Sequence, residues 1–355
     1  PLISDRTLSI IFGFTEKTGI DLPGEANGYF FGKDILTDED SYASLTSASF
    51  GQTFKITPIQ LVRAVAAVVN GGYVLEPYVV DEVLNADGST VSKSTPTVLR
   101  QVISEETSAI MRELMESVVT DGTAGNAKVA GYRIGGKTGT SEKIDEYDEN
   151  GNQVDDKIVS FIGVAPINDP QYVCLVALDT PNPATGYYIS GGIMAAPTCR
   201  DVFADILPYL GVEPDYGDED IAQVDVAVPS VTGRTESEAA ALLSDRSLTY
   251  RVVGSGDTVT SQIPASGAKI PGGSTVVLYM GENAPTDMIT VPDFAGMTVS
   301  QANTAIANSG QLYLKAKGST ASGSSVATDQ SPAAGSRVAR GTVVTVEFTD
   351  MSAQD

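Results

Sequence analysis

The chemistry this chain could perform is concentrated in Gly131–Lys143, GYRIGGKTGTSEK, which sets Lys137, Thr138 and Thr140 around Gly139. Tyr132-Arg133-Ile134 reads as a strand leading into Gly135-Gly136-Lys137-Thr138-Gly139-Thr140. On an edge strand beside a cleft, Lys137 supplies a fixed positive charge, and two threonine hydroxyls offer hydrogen bonds to a substrate carboxylate. Gly139 omits a side chain so that an extended peptide can lie against the strand. The backbone N–H of Thr140 can then face a developing oxyanion. The same letters also fit the phosphate-loop pattern G-x-x-x-x-G-K-[ST], with Gly131 and Gly136 at its fixed positions. The next segment of the chain, SEKIDEYDENGNQVDD, is an acidic loop and not the helix a phosphate loop must open, so the carboxylate-binding strand is the better reading.

Composition closes other catalytic routes. The 355 residues include 45 acidic and 22 basic side chains, a formal charge of −23, and neither histidine nor tryptophan. Without histidine there is no Ser-His-Asp or Cys-His catalysis, no HExxH zinc site and no imidazole base. Two cysteines cannot build a Cys₄ zinc site or a dense disulfide framework. Cys174 and Cys199 read as small buried hydrophobes, with a disulfide as the alternative. A pI near 4.2 argues against nucleic acid, whose phosphates would repel this surface. Acyl transfer or hydrolysis must therefore use lysine, serine, threonine or carboxylates. No metal or cofactor is expected.

At 42% apolar and 19% charged, the composition is that of a folded chain. Its length suggests two or three domains at roughly 100–200 residues each. No stretch approaches the ~18 apolar residues needed to span a bilayer, and no charged n-region precedes an apolar h-region. The sequence opens at Pro1 with no initiator Met, which leads us to expect a processed or truncated piece of something longer.

The chain divides into three zones. In residues 1–212, Thr57–Asn70 has Ile59, Val62, Val65, Ala66 and Val69 at helical spacing, Thr57 as N-cap, Pro58 in the first turn and Gly71-Gly72 as a stop. Ser104–Val119 predicts a second helix with Ile110, Leu114, Met115 and Val118 as its stripe. Ser160–Pro166 and Gln171–Asp179 are short β-rich runs joined by Ile-Asn-Asp-Pro, a hairpin signal, and Ala196–Leu210 closes as a helix. Helices flanking an antiparallel hairpin imply α+β architecture. Residues 213–223, EPDYGDEDIAQ, read as a solvated acidic linker.

From residue 224 the sequence repeats itself. Val228–Thr235 (VPSVTGRT) matches Val291–Thr298 (VPDFAGMT) at an offset of 63, and Gln262–Gly267 (QIPASG) matches Gln330–Gly335 (QSPAAG) at 68. The run Ser274–Leu278 matches Thr342–Val346, so copy two carries five extra residues, placed in Gly318–Ser325. Each copy reads as turn, short helix (Glu236–Leu243; Val299–Ser309), strand, turn, strand, which makes two small tandem α+β modules over 224–284 and 287–350. They resemble PASTA domains, through the VP-x-(V/F)-x-G-x-T opening, the helix with Ala239-Ala240 or Ala302, the P-A-(S/A)-G turn and the final β run. The resemblance implies a wall-facing spacer, docking or muropeptide-binding role.

Residues 1–212 resemble the C-terminal part of a class B penicillin-binding protein transpeptidase domain. The matching segments, in family order, are Phe12-Gly13-Phe14 with Lys17–Glu25 (KTGIDLPGE), Ser49-Phe50-Gly51-Gln52 with Thr57-Pro58-x-Gln60, and Asn70-Gly71-Gly72. They continue with Gly136–Thr140, Ser160-Phe161-Ile162-Gly163-x-Ala165-Pro166, and Gly191-Gly192-x-x-Ala195-Ala196-Pro197. The implied fold is that of a penicillin-binding transpeptidase, incomplete at its N-terminus. The implied activity is serine-type D,D-transpeptidation, cross-linking peptidoglycan stem peptides, with β-lactams bound by the same groups. Lys137, Thr138, Gly139 and Thr140 would bind substrate or β-lactam, Lys137 and the Thr140 N–H acting in catalysis.

The family's other two motifs are expected elsewhere. No S-x-N occurs, and the sole S-x-x-K, Ser266-Gly267-Ala268-Lys269, falls in a repeat turn whose partner position is Arg337. The nucleophilic serine and its lysine are therefore expected in an N-terminal remainder of the same protein, which would also anchor it to the extracellular face of the membrane. Other implied partners are divisome or elongation proteins, with no nucleic acid. A competing reading is a non-catalytic peptidoglycan-binding scaffold; a third is a penicillin-hydrolysing or carboxypeptidase relative. Ser141-Glu142 departs from the Ala and Gln common in the family.

The loop Glu142–Asp156 is long and acidic, and its DEYDEN run superficially suggests calcium. It lacks the glycine at position six and glutamate at twelve of an EF-hand loop. Calcium titrated into the protein and followed by calorimetry is expected to give no heat; a micromolar site would overturn that.

Overall fold

A computed structural model describes residues 11–30, 46–48, 51–52, 54–143, 147, 149–154, 156–215, 224–309, 311–320 and 322–352. They fall into two compact units, divided after Phe203, with the short segment Lys128–Tyr132 joining the second.

In the first unit, helix α1 (Pro58–Val69) starts as its sequence dictates: the Thr57 side chain accepts from the Gln60 N–H, and the Gln60 side chain accepts from the Thr57 N–H. Its buried face differs from the apolar stripe expected. Gln60, Arg63, Ala64, Ala67 and Val69 are buried, whereas Ile59, Val62, Val65 and Ala66 are half-buried. The reason is a backbone-rich neighbour. Gln60 Nε2 donates to the carbonyls of Phe14 (3.2 Å) and Glu16 (2.7 Å), and Arg63 donates to those of Gly13 (2.9 Å) and Thr18 (3.3 Å). Polar side chains can be buried when they satisfy buried carbonyls in this way.

Strand β1 (Tyr73–Glu76) pairs antiparallel with β4 (Thr97–Gln101), and between them β2 (Glu82–Leu84) pairs with β3 (Thr90–Lys93). Asp87-Gly88 is a turn signal between β2 and β3, but hydrophobic alternation marks neither ribbon, because Val83, Leu84, Val91 and Val98 are exposed. Helix α2 (Glu105–Thr120) is capped by Ser104, which accepts from the Thr107 N–H, and Glu105 and Glu106 complement its N-terminal dipole. Here too the expected stripe is corrected. Ile110 and Leu114 are 52% and 55% exposed, and the buried face is Ser108, Met115 and Val119. Ser108 sets that rotation: its hydroxyl donates to Val68 O (2.7 Å) and accepts from Gly71 N–H (3.0 Å), tying α2 to α1.

The central sheet has strand order β5-β6-β7, formed by Gly135–Glu142, Lys157–Ala165 and Tyr172–Asp179, antiparallel throughout. The hairpin joining β6 and β7 is where the Ile-Asn-Asp-Pro signal puts it. Strand β5 begins at Gly135 and not at Tyr132; the latter makes an isolated bridge with Val129. A wide π turn, Gly191–Ala195, precedes helix α3 (Ala196–Tyr209). Val69, Met115, Val164 and Ile167 form a core between α1, α2 and the sheet. Cys174 is half-buried on β7 and Cys199 buried on α3, both as free thiols, with Cys199 Sγ 3.8 Å from Cys174 O.

The second unit holds both repeats, and each contains more strands than its sequence announces. The first has β8 (Asp225–Ala227) paired with β11 (Lys269–Pro271), helix α4 (Glu236–Ser244), and a sheet in which β12 (Thr275–Met280) lies between β10 (Val259–Ile263) and β9 (Thr249–Gly254). The second repeats this with β13 (Met288–Thr290), α5 (Val299–Asn308), β14 (Tyr313–Gly318), β15 (Ser325–Ser331), β16 (Arg337–Ala339) and β17 (Val343–Asp350). The three-residue strands are too short to show periodicity in the sequence. The repeated glutamine has one job in both copies. Gln262 accepts from Val231 N–H and donates to Pro229 O; Gln330 accepts from Phe294 N–H and donates to Pro292 O.

Two carboxylates clamp the segment that α1 holds in the first unit. Asp21 accepts from the N–H groups of Val80 (2.9 Å) and Val79 (2.8 Å), and these bonds hold its carboxyl below the usual range. Glu25 accepts from the Thr18 hydroxyl (2.6 Å) and N–H (2.5 Å) and from the Gly19 N–H (3.2 Å), with the same effect. Folded-state values below the unfolded ones give a contribution present above about pH 4 to 4.5 and lost as pH falls through the depressed values. Amide exchange protection at Thr18, Gly19, Val79 and Val80, corrected for intrinsic rates, should therefore fall on acidification below about pH 4. The Glu25→Gln variant should lose that pH dependence at Thr18 and Gly19; protection flat to about pH 3 in the parent would contradict the clamp.

Candidate active site

Lys137 lies opposite Ile162, Thr138 opposite Phe161, Gly139 opposite Ser160 and Thr140 opposite Val159 across the β5–β6 ladder. The other side of β5 is paired with no strand among the described residues. The structure thus brings Lys137, Thr138, Gly139 and Thr140 together on an edge strand. Because Gly136, Lys137 and Thr138 lie inside that strand, no helix N-terminus comes after them to cradle a phosphate.

The side chains divide between the two faces of β5. Lys137 is exposed, and its Nζ reaches Thr138 O at 2.9 Å and Thr138 Oγ1 at 3.5 Å. Thr138 is 5% exposed, and its hydroxyl lies 3.0 Å from the hydroxyl of Thr123, in the turn after α2. Although the two side chains leave β5 on opposite faces, the lysine chain brings its ammonium to 3.5 Å from the Thr138 hydroxyl. A carboxylate there would meet a fixed charge and a hydroxyl whose orientation is set from behind. Thr140 is half-buried, and its carbonyl accepts from Gln52 Nε2 at 3.1 Å.

Gly139 also has a neighbour within the sheet. A Cβ there would stand 2.8 Å from Ser160 Oγ, the end of a short side chain on the paired strand. Gly191, at the start of the π turn, comes closer still: a Cβ would lie 2.1 Å from Ser160 O. The turn is fixed by Ser190, buried, whose Oγ accepts from Ile193 N–H at 3.3 Å, and by Asn126 Nδ2 donating to Gly192 O at 2.9 Å. Ser160, Gly191 and Gln52 belong to segments that motif matching singles out without a role. Thr123 carries no sequence signal. Ser49 and Phe50 lie outside the described residues.

The acidic loop after β5 is described in part. Lys143 N–H donates to Asp156 O (2.8 Å) and Tyr147 bridges to Gln153, while residues 144–146, 148 and 155 lie outside the described set. Lys143 Nζ pairs with Asp179 at 2.5 Å, joining the end of β5 to the end of β7. Among the described residues no group of three or more His, Cys, Asp or Glu could hold a metal ion.

Known proteins share these segments. Residues 11–204 match the family described as penicillin binding protein transpeptidase domain, and residues 226–282 and 289–350 each match the PASTA domain. Stage V sporulation protein D of Bacillus subtilis is 41% identical over 281 residues, 76% of this chain and 41% of that protein. A peptidoglycan D,D-transpeptidase FtsI homolog of Mesostigma viride is 32% identical over 194 residues, 51% of this chain and 32% of that protein. The chain thus spans less than half the length of these relatives. A crystal structure of penicillin binding protein 3 from Mycobacterium tuberculosis, complexed with aztreonam, aligns with TM-score 0.51 and 26% identity over 61% of this chain and 47% of that one.

The packing account of Gly139 can be tested apart from function. Gly139→Ala should destabilise the first unit by about 1–3 kcal/mol in urea unfolding, the usual range for overpacking. In a Ser160→Ala background much of that loss should disappear, because the hydroxyl it meets is gone. Equal losses in both backgrounds would show that Ser160 is not the obstacle.

Proposed function

Because this chain belongs to the penicillin binding protein transpeptidase family and carries two PASTA domains, we propose that it is the carboxylate-binding part of a peptidoglycan D,D-transpeptidase. A serine from polypeptide outside this sequence attacks the penultimate D-Ala carbonyl of a stem peptide, and the terminal D-Ala leaves. An amine of a second stem then attacks the acyl-enzyme. Lys137 and the hydroxyls of Thr138 and Thr140 hold the terminal carboxylate, and the Thr140 N–H faces the oxyanion. β-Lactams bind at the same edge and acylate the same serine. The observation that carries the reading is the convergence of Lys137 Nζ and Thr138 Oγ1, 3.5 Å apart, on an edge strand.

The domain limits we propose are 1–212 for the transpeptidase part, 213–223 for an acidic linker, and 224–284 and 287–350 for the PASTA modules. The site works at the extracellular face of the membrane, anchored by a preceding segment. Among the described residues no helix is long and apolar enough to cross a membrane. Partners are the stem peptides, the nucleophile-bearing remainder and the division or elongation machinery.

Labelling with a fluorescent penicillin tests the assignment. The complete polypeptide should be acylated, this chain alone should not, and Lys137→Ala in the complete polypeptide should slow acylation by about a hundredfold or more, the scale of removing one electrostatic contact to the transition state. A complete polypeptide that binds peptidoglycan yet takes no label would establish the scaffold instead.

A further inference from the structure

We propose that Gln52 is a displaceable cap on the open edge of β5, holding the Thr140 carbonyl that an incoming peptide amide must take over. This rests on the transpeptidase reading and adds a control of ligand entry at the same edge. Backbone carbonyls alternate in direction along a strand, so those of Thr138 and Thr140 turn the same way. Thr138 O is taken by Lys137 Nζ and Thr140 O by the Gln52 carboxamide, both donors from outside β6, so this pair belongs to the open side. An extended ligand adds to such an edge as a further strand, and its amide N–H groups need those outward carbonyls.

Gln52 is placed to compete for one of them. It is 88 residues away from Thr140 in sequence, and its backbone is fixed in a turn, with Gln52 N–H donating to Ser47 O (3.0 Å) and Gly51 N–H to Ala48 O (3.1 Å). The side chain is the part that can move. A glutamine carboxamide offers the same kind of N–H as a peptide bond, so entry of a peptide exchanges one neutral hydrogen bond for another. The ligand loses from its apparent affinity what Gln52 gains from the carbonyl, a factor of about three to ten. A ligand without an amide N–H at that point leaves Gln52 where it is and incurs no such loss. Gln52 therefore shapes which ligands the edge accepts.

The test uses the complete polypeptide, this chain with its nucleophile-bearing part, as parent, Gln52→Ala and Gln52→Glu. Both variants remove the donor; the second keeps the side-chain volume should the alanine variant unfold. Second-order acylation rates are measured with benzylpenicillin, whose acylamino group supplies an N–H, and with a carbapenem, whose hydroxyethyl group does not. The benzylpenicillin-to-carbapenem rate ratio should rise by about three- to tenfold in the variants. Parallel changes in both rates, or a fall in the ratio, would overturn the cap and leave Gln52 a structural brace. If neither antibiotic acylates the parent, the transpeptidase reading itself falls, and this inference with it.

Discussion

A strand can present its backbone to a ligand along one edge only while the opposite edge is held in register, and β5 meets that condition. Eight consecutive residues, Gly135–Glu142, pair with Val164–Lys157 of β6, which in turn pairs along its length with β7. The sheet is then closed at close quarters. Gly136 accommodates the Phe161 ring, which a Cβ would approach to 2.3 Å, and Gly191 of the π turn rests on the Ser160 carbonyl. With its neighbours packed this tightly and one edge paired, β5 has a single direction in which its polar groups can meet something new. Lys137 Nζ and Gln52 Nε2 reach the carbonyls of Thr138 and Thr140 on this strand, whose geometry is set by the sheet.

The same constraint explains which parts of the site could be read from residues alone. Lys137, Thr138, Gly139 and Thr140 are contiguous, so a strand carrying all four is expected without knowledge of tertiary contacts, and they do share β5. Helix ends are equally legible, because the Thr57–Gln60 capping box and the Ser104 cap are local hydrogen bonds between residues three apart. Faces are not. Hydrophobic spacing assigns Ile110 and Leu114 to the core, yet both are exposed while Gln60, Arg63 and Ser108 are buried. In each case a polar side chain satisfies a backbone group from a distant segment, a pairing that leaves no periodic trace. Thr123 and Gln52 escape for the same reason: each acts on β5 through one hydrogen bond across 15 or 88 residues of sequence.

Glycine illustrates how one residue of a motif can also answer to packing. The expectation for Gly139 is room for a peptide, a reasonable inference where a backbone approaches a ligand. The one neighbour a Cβ would meet there is Ser160 Oγ, from within the sheet. Gly72 is similar: its φ of +94° and a Cβ position 2.0 Å from Ile103 O make it a site of chain crossing after α1. A glycine beside functional residues can thus secure the scaffold that aims them, and its proximity to a site does not by itself assign it a ligand.

In the second unit the repeats show that tandem modules need not be independent beads. Tyr313 belongs to the second copy, yet it sits 8% exposed in the core of the first, among Val228, Val231, Leu243 and Leu278. Its phenol donates to Thr275 O at 2.7 Å and lies 3.2 Å from Ile263 O, and burial raises its pKa well above the ordinary tyrosine range, so the hydroxyl stays a donor. Gln311 adds a bond to the Tyr279 hydroxyl at 2.7 Å, and Lys315 pairs with Asp225 at 2.6 Å. The carbonyls of Ile263 and Thr275 lie in segments that match between the copies, but Tyr313, Gln311 and Lys315, which the second copy supplies, do not. Self-similarity reports what each module needs in order to fold, whereas the contacts that join two modules must differ between them, because one copy supplies the tyrosine and the other the carbonyls. A search for repeats therefore finds the units and, by its own logic, overlooks what makes them a pair.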